Sequence, residues 1–524
     1  MDRRRFIGAA LAAGVAGRGL SACHNKAALP LTGRLLGPDP GLGHRLRGGE
    51  FPPPAARRAA PIVIAGGGIA GLSAAWWLRR QGFTDFVLLE SETETGGNAR
   101  SGSSEVTRYP WGAHYLPMPS REATALVQLL EDLGIVTGRS AAGEPVYDER
   151  YLVFAPRERL FFDGEWRGAL RETDDAGSRE QFARFDSLLD DWREKKGADG
   201  RDAFASPSPL SSRDPRIREL DRISMAQWLA QHALGDPQLR WYVDYACRDD
   251  FGCVAAETSA WAGLHYFLGR KAPASYPSAP VLTAPEGNGF LAGPLAALCR
   301  KQIATGQMVY RVEQHQGYVE ILSCEGPRST AWRARQAILA VPQFVLPHIL
   351  VGAARNGFEY APWVVANLHV RELPQGRGAP PAWDNVLYDS PALGYVAATH
   401  QALRQHVGAS VLTWYMPLTQ SPAAAAREQL LDASWKQWVD VILADLRRAH
   451  REIDELVTHV DVWRWGHGMI KPLPGTITGT ALSQARMSRR NIHFAHSDLS
   501  GMSLFEEAHY WGVQAARRAL DALS

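Results

Sequence analysis

The thirty residues from Pro61 to Glu90, PIVIAGGGIAGLSAAWWLRRQGFTDFVLLE, constrain this chain more than any other stretch. Ile62-Val63-Ile64-Ala65 reads as a short buried strand, a continuous apolar run suited to the inside of a parallel sheet. Leu72 to Gln81 reads as a helix ended by Gly82. Phe86 to Leu89 reads as a second buried strand, closed by Glu90. Between the first strand and the helix stands Gly66-x-Gly68-x-x-Gly71. The first glycine allows a tight turn, the second lets the backbone approach a pyrophosphate, and the third lets helix and strand pack closely. The helix N-terminus, with Ile69 and Ala70 in the turn, offers unpaired N–H groups to phosphates. Glu90 lies 19 residues past Gly71, where a carboxylate accepts from both ribose hydroxyls; an Arg there would indicate a 2′-phosphate. A glycine-rich turn alone is a weak signal. Strand, turn, helix, strand and acid in this order specify a dinucleotide site, with Ser91 beside the acid.

At 524 residues the chain has room for roughly three domains. Its composition, 45% hydrophobic and 21% charged, is that of a globular protein. A net charge of +2 argues against a nucleic-acid footprint. Most of the positive charge is arginine. Beyond the first residues the lysines are Lys26, Lys195, Lys196, Lys271, Lys301, Lys436 and Lys471. Cys247, Cys253, Cys299 and Cys324 do not make a disulfide framework in so long a chain, and free thiols are expected. The 16 histidines show no metal-ligand spacing, and no metal is expected.

The N-terminus, MDRRRFIGAALAAGVAGRGLSAC, carries two export features. Arg3-Arg4-Arg5-Phe6 ahead of an Ala/Gly stretch resembles a twin-arginine signal. That stretch is too short to span a bilayer. Leu20-Ser21-Ala22-Cys23 resembles a bacterial lipobox, which implies lipidation of Cys23. The expected partners are therefore the twin-arginine export machinery and, through the lipid anchor, a membrane; the expected location is periplasmic, as an anchored lipoprotein. The Gly-, Pro- and Arg-rich stretch 24–59 reads as a linker. The twin-arginine route carries folded cargo, often loaded with a cofactor.

Further motifs resemble the flavin-containing amine oxidase superfamily. ESETETGGNARS, from Glu90 to Ser101, is similar to that family's second signature, in which Gly96, Gly97 and Arg100 wrap the FAD pyrophosphate. WGAHY resembles its next flavin-contacting turn, implying roles for Gly112, Ala113, His114 and Tyr115. RVEQ, 311–314, resembles the strand whose backbone meets adenine and places Val312 there. The stretch from Asn491 to Leu520 resembles the closing motif. There Ser497 and Asp498 match the ribityl–phosphate region. Phe505 to Ala508 match the turn into the last helix, where N–H groups and dipole face the flavin.

The resemblance implies an α/β protein with a Rossmann-like FAD-binding domain and an inserted α+β substrate domain. The expected boundaries are 1–23 for the signal, 24–59 for the linker, and 60–145, 281–348 and 476–524 for FAD binding. The substrate domain takes 146–280, mostly helical, and 349–475. The expected reaction is oxidation of a C–N or C–C bond of a small molecule by hydride transfer to the flavin. Two alternatives stay open: an isoprenoid or lipid desaturase or isomerase, and a FAD-bearing binding or assembly protein without turnover.

The chain departs from the family pattern at three places. His496 stands where a glycine precedes the acid, and Glu507 where a glycine precedes the last helix's alanine. No lysine lies near Ala366 or Asn367, where many amine oxidases place one. His467 and Lys471, in WRWGHGMIKPLPG, are the candidates for base or flavin-side partner; the alternative makes them polar residues on a hairpin wall. Trp241, Trp261, Trp363, Trp383 and Trp414 line a pocket or fill a core. Asp249 or Asp250 attracts a cationic substrate, or marks a solvated helix end.

Overall fold

We describe the protein from a computed structural model, which covers residues 31–276, 278, 280–402 and 407–524. The expected export signal and Cys23 lie outside the described residues.

Ile62, Val63 and Ile64 are fully buried because both faces of their strand are covered. That strand, Ala56–Ala65, is longer than the apolar run alone indicates. It pairs in parallel with Phe86–Leu89 on one side and Arg328–Leu339 on the other. Ile492–Phe494 also joins Arg328–Leu339 in parallel. The hairpin Met308–His315 and Tyr318–Glu325 extends the sheet antiparallel. With Ile303–Ala304, parallel to Phe86–Leu89, seven strands from separated parts of the chain make one sheet. On it lie the helix after the glycine turn, Ile69–Arg80, and the closing helix, Phe505–Asp521. The two helices touch backbone to backbone: a Cβ on Gly512 would lie 2.2 Å from the Ala70 carbonyl oxygen.

A second sheet has eight strands, in the order Thr32–Leu36, Val457–Ile470, Tyr360–Val370, Ser410–Pro417, Tyr395–Ala397, Asp384–Leu387, Glu158–Phe162, Glu165–Arg167. Two expectations change here. Part of the supposed linker 24–59 is the edge strand Thr32–Leu36, parallel to Val457–Ile470 and held by Arg34 on the buried Asp461. The stretch 146–280 contributes a strand pair to this sheet before it becomes helical. Backbone pairing explains both, since neither segment has an apolar run long enough to announce a strand.

The two faces of this sheet differ chemically, as the period of two along a strand allows. Val364, Ala366, Leu368, Val460 and Val462 face an aliphatic core under the helix Trp435–Leu446. Trp363, Val365, Tyr415, Trp463 and Trp465 belong to an aromatic cluster with Tyr109 and Trp111. The helices Ala176–Arg193, Met225–Gln231, Pro237–Phe251 and Ala260–Leu268 hold a third core. Cys247, Cys253, Cys299 and Cys324 are free and buried. Among the described residues no helix is long and apolar enough to cross a membrane.

Candidate active site

The glycine turn and the stretch after Glu90 form one wall. Gly71 sits where a Cβ would come within 1.9 Å of the Gly66 carbonyl oxygen, so only glycine lets this helix close on its strand. Gly68 is different: a Cβ there would meet nothing within 4 Å. No side chain caps the helix at Gly68, and its first N–H groups point past the turn. Gly96 and Gly97 take positive φ, 114° and 56°, and bring a second loop against Gly68. The Gly96 N–H donates to the Gly67 carbonyl at 2.8 Å. Glu90, 9% exposed, accepts from the Gly67 N–H at 2.6 Å, the Glu92 N–H at 2.8 Å and the Ser91 hydroxyl at 3.0 Å.

Arg100 closes this wall. Its guanidinium lies 5.1 Å over the Trp463 ring and 5.8 Å from that of Trp465. Its Nε donates to the Gly97 carbonyl at 3.3 Å, and Glu92 stands 3.7 Å away. A guanidinium has five donors, so this mostly buried one has donors to spare for an anion. Glycine loops opened toward an uncapped helix end, with a spare guanidinium beside them, fit a pyrophosphate; Glu90 behind them fits a ribose. Val312 is fully buried, and its carbonyl accepts from the Val351 N–H at 3.0 Å.

The turn Trp111–Tyr115 is laced to the same wall. The Ala113 N–H donates to the Asn98 carbonyl and the Trp111 N–H to that of Arg100. A Cβ on Gly112 would lie 2.5 Å from the Asn98 carbonyl oxygen. Trp465 Nε1 donates to the Trp111 carbonyl at 2.8 Å. His114 stacks on Tyr415, with ring centroids 4.5 Å apart, and burial pushes its imidazole down to about 3. It is neutral near pH 7. A narrow surface cleft is lined by His114, Trp383, Thr413 and Pro110 among others.

The departures from the family pattern now have places. His496 Nδ1 accepts from the Asp498 N–H at 3.1 Å and caps the short turn Ser497–Ser500. Asp498 faces inward. Its Oδ2 accepts from the Gln343 N–H at 2.8 Å and the Tyr360 hydroxyl at 2.7 Å. Burial opposes its charge, but His496, Gln343 and Tyr360 together hold the carboxyl below its usual range. Phe505 and Ala508 lie in the first turn of the closing helix, which no side chain caps. Glu507, fully buried, turns away to the helical region: it accepts from the Ser208 N–H at 2.6 Å, the Ser208 hydroxyl at 3.1 Å and the Ser500 hydroxyl. Burial pushes its carboxyl up to about 7. A glycine at 507 would leave those donors without an acceptor.

His467 and Lys471 are not brought together. His467 stacks on Phe344, centroids 4.2 Å apart, near Tyr360. Burial, with Arg427 and Arg47 nearby, pushes its imidazole down to about 4, well below the near-neutral value expected of a base. Lys471 Nζ donates to Glu257 at 2.6 Å, with Glu359 at 3.8 Å. Burial alone lowers its pKa, but Cys253, Glu257 and Glu359 more than offset this, and the net shift is upward. The ion pair with Glu257 keeps the amine charged. Asn367 bridges the Pro110 carbonyl and the Thr413 hydroxyl, while Ala366 faces the aliphatic core.

The sequence reading missed an acidic, aromatic cluster behind His114 and Trp383. Asp249 and Asp250 enter from the helix Pro237–Phe251, and Asp384 from the strand Asp384–Leu387. Tyr115 donates to Asp249 at 3.2 Å, and Tyr245 donates to Asp384 at 3.2 Å. Arg270 pairs with Asp250. Burial and the neighbouring Asp250 push Asp249 up to about 7. Burial, Asp249 and Glu158 push Asp384 up as well. Asp249 had been a candidate by its aromatic neighbourhood. Nothing marked Asp384, Tyr415 or Arg270, because the cluster forms only where strands and helix meet.

A family model, flavin containing amine oxidoreductase, matches residues 69–520. Oxidoreductase PigB of a Serratia species is 26% identical over 278 residues, 50% of this chain and 40% of that protein's length. A putrescine oxidase redesigned in its cofactor binding superposes with a TM-score of 0.65 at 16% identity, covering 89% of this chain and 100% of that one. Cyclohexylamine oxidase from Brevibacterium oxydans gives a TM-score of 0.65 at 15% identity, covering 88% of this chain and 99% of that one. A fatty acid isomerase from P. acnes gives 0.62 at 16%, covering 88% and 98%. At such identities the likeness is one of fold. FAD is the cofactor, and the chain belongs to the flavin-containing amine oxidoreductase family.

Proposed function

We propose that the protein oxidises a small amine at its C–N bond, with FAD held between the glycine wall and the aromatic face of the second sheet. FAD, when bound, supplies the acceptor for two electrons. The chain's own residues do the rest. The N–H groups after Gly68, the loop Gly96–Gly97 and Arg100 hold the pyrophosphate. Glu90 holds the ribose and ties down the glycine turn. The Trp111–Tyr115 turn, fastened through Asn98 and Trp465, fixes the edge on which substrate sits. His114 stays neutral there and adds no charge to repel an amine.

One observation carries this reading: an acidic, aromatic cluster adjoins the His114 turn, Tyr115 donating to Asp249 and His114 stacking on Tyr415. Carboxylates and phenols attract an ammonium group; they would disfavour an isoprenoid or fatty chain. The test is anaerobic flavin bleaching, screened across primary and secondary amines, amino acids and polyprenyl lipids. Bleaching by amines supports the reading. Bleaching by lipids alone points to the desaturase or isomerase, and none by any class points to a binding protein without turnover.

We further propose, from the sequence of residues 1–23, export by the twin-arginine route and anchoring through Cys23. Replacing Arg3 and Arg4 by lysine should strand precursor in the cytoplasm. Cys23→Ala should release the protein from the membrane fraction; attachment that survives would place the anchor elsewhere.

A further inference from the structure

Two residues before Trp463, whose ring Arg100 covers, the second sheet carries another cluster of polar side chains. His369 and His459 are register partners on the neighbouring strands Tyr360–Val370 and Val457–Ile470. Asp461 follows His459 by two residues and so shares its face of the sheet. One ring nitrogen of each histidine and one carboxylate oxygen of Asp461 all lie within 4.8 Å of one another. His459 Nε2 is 3.0 Å from Asp461 Oδ1. The His369 ring stands edge-on to that of His459, centroids 5.1 Å apart, and edge-on to that of Tyr109 at 5.3 Å.

Hydrogen bonds account for two of these three groups. Thr32 Oγ1 lies 2.9 Å from His459 Nδ1, and Arg34 donates to both oxygens of Asp461. They do not account for the third. His369 Nε2 is buried and has no hydrogen-bond partner among the described residues. A buried imidazole nitrogen left so is costly, and a ligand that pairs with it removes the cost. Two imidazoles and a carboxylate are also the donor set of a three-ligand zinc site. A tetrahedral zinc ion with bonds of about 2.0–2.1 Å sets its ligand atoms roughly 3.3 Å apart. The His459–Asp461 pair is already at that spacing, and a turn of the His369 ring closes the rest. Thr32 supplies the outer partner that fixes a metal-bound imidazole. Arg34 is the competing cation; its side chain is 60% exposed and is free to swing off Asp461 into water.

We propose that His369, His459 and Asp461 form a binding site for one divalent cation, zinc by its donor set, with water completing the shell. His459 binds through Nε2 while its Nδ1–H donates to Thr32. His369 binds through Nε2, and Asp461 through Oδ1. The ligands come from two adjacent strands, and Thr32 joins them to the edge strand Thr32–Leu36. The ion thus clamps the rim of the second sheet where the first strand of the described chain docks. Thr32 and Arg34 lie outside residues 69–520, the stretch that the family model matches. The proposal does not depend on which substrate the flavin oxidises.

The test uses the full, FAD-loaded protein, stripped with EDTA, desalted and titrated with zinc chloride by calorimetry, with melting followed in parallel. The wild type should take up a single zinc ion per chain and melt at a higher temperature with zinc than without. His369→Ala and Asp461→Asn should each weaken binding by about a hundredfold or more, since a lost ligand costs more than a lost outer partner. Their melting should no longer respond to zinc. Arg34→Gln removes the competing cation and no ligand. It should tighten zinc binding by about two- to fivefold, the worth of an exposed ion pair. That gain separates a built site from chelation by scattered surface histidines, which Arg34 does not touch. A wild-type protein that takes up no zinc would overturn the site, whether or not the variants fold. Zinc uptake unchanged in folded His369→Ala would overturn it as well.

Discussion

The glycine wall and the acidic, aromatic cluster are built by opposite means. In the wall the backbone does the work: N–H groups, positive-φ turns and missing Cβ atoms leave open space. In the cluster side chains do it: carboxylates, phenols and indoles from the helix Pro237–Phe251, the strands Asp384–Leu387 and Ser410–Pro417 and the Trp111–Tyr115 turn. The wall tolerates almost no change of size at certain points and is indifferent at others. The cluster keeps its shape under isosteric changes but depends on charge. This contrast is open to experiment.

The largest effect is expected at Gly71. Gly71→Val puts a branched side chain where even a Cβ falls 1.9 Å from the Gly66 carbonyl oxygen. No soluble, flavin-loaded protein should be recovered, as read by yield and by absorbance near 450 nm. Yellow, soluble Gly71→Val would mean that this helix and strand separate freely, and the backbone half of the contrast would collapse.

Gly68→Ala sharpens the same point, since its Cβ meets no protein atom. The flavin-free variant should melt within about 2 °C of wild type, as for a surface change of under 0.5 kcal/mol. Its FAD affinity should nevertheless fall about tenfold or more, because the methyl group enters the phosphate's place. Glu90→Ala should weaken FAD binding by about 1.5–3 kcal/mol through loss of a charged acceptor. Flavin affinity unchanged in both variants would remove the phosphate cradle and the ribose ligand together.

Glu507 tests the side-chain half through pH. Its carboxyl rises from an ordinary 4.5 to about 7 in the folded protein. The folded state therefore binds the proton more tightly. The resulting stability is complete below about pH 4.5, shrinks as pH rises, and is gone above about 7. At about 1.4 kcal/mol per pH unit this amounts to roughly 3 kcal/mol. Wild type minus Glu507→Gln should lose that much stability between pH 5 and 8, measured by urea unfolding. Parallel pH curves would show that Glu507 is charged throughout.

The smallest effect is expected at Lys471. An ion pair with the half-exposed Glu257 is worth about 1 kcal/mol or less. Lys471→Met should leave the rate of flavin reduction within about threefold. A loss of a hundredfold, typical of a missing general base, would restore it to the chemistry.

What was legible follows the same division. Gly66, Gly68, Gly71, Glu90, Gly96 and Gly97 stand in order within a short span because a backbone cradle is built locally, so spacing alone reveals it. The strand Thr32–Leu36 was invisible. Its sequence, TGRLL, carries no period, and it becomes a strand only by pairing with Val457–Ile470. The network of Arg34, Asp461, His459 and His369 was hidden for the same reason. His459 and His369 are register partners on neighbouring strands but 90 residues apart in the chain. Asp384 and Tyr415 meet Asp249 only through the crossing of sheet and helix. The register of Val457–Ile470 against Tyr360–Val370 is irregular opposite Pro362, and no periodicity predicts which way His467 turns there.

The pairing of Thr32 with His459 joins residues 427 apart, and so sets a clock on biosynthesis. A ribosome adding about 5–20 residues per second takes on the order of a minute to deliver this chain. For most of that time the first strand has no partner. The strand after it, Ala56–Ala65, also waits for Arg328–Leu339. Neither sheet closes until the last fifth of the chain has emerged. The nascent polypeptide thus carries long unpaired strand edges, the feature most open to mispairing with other chains. A cell making this protein would do well to keep chaperones on the emerging chain and to delay release until the C-terminal helix has docked.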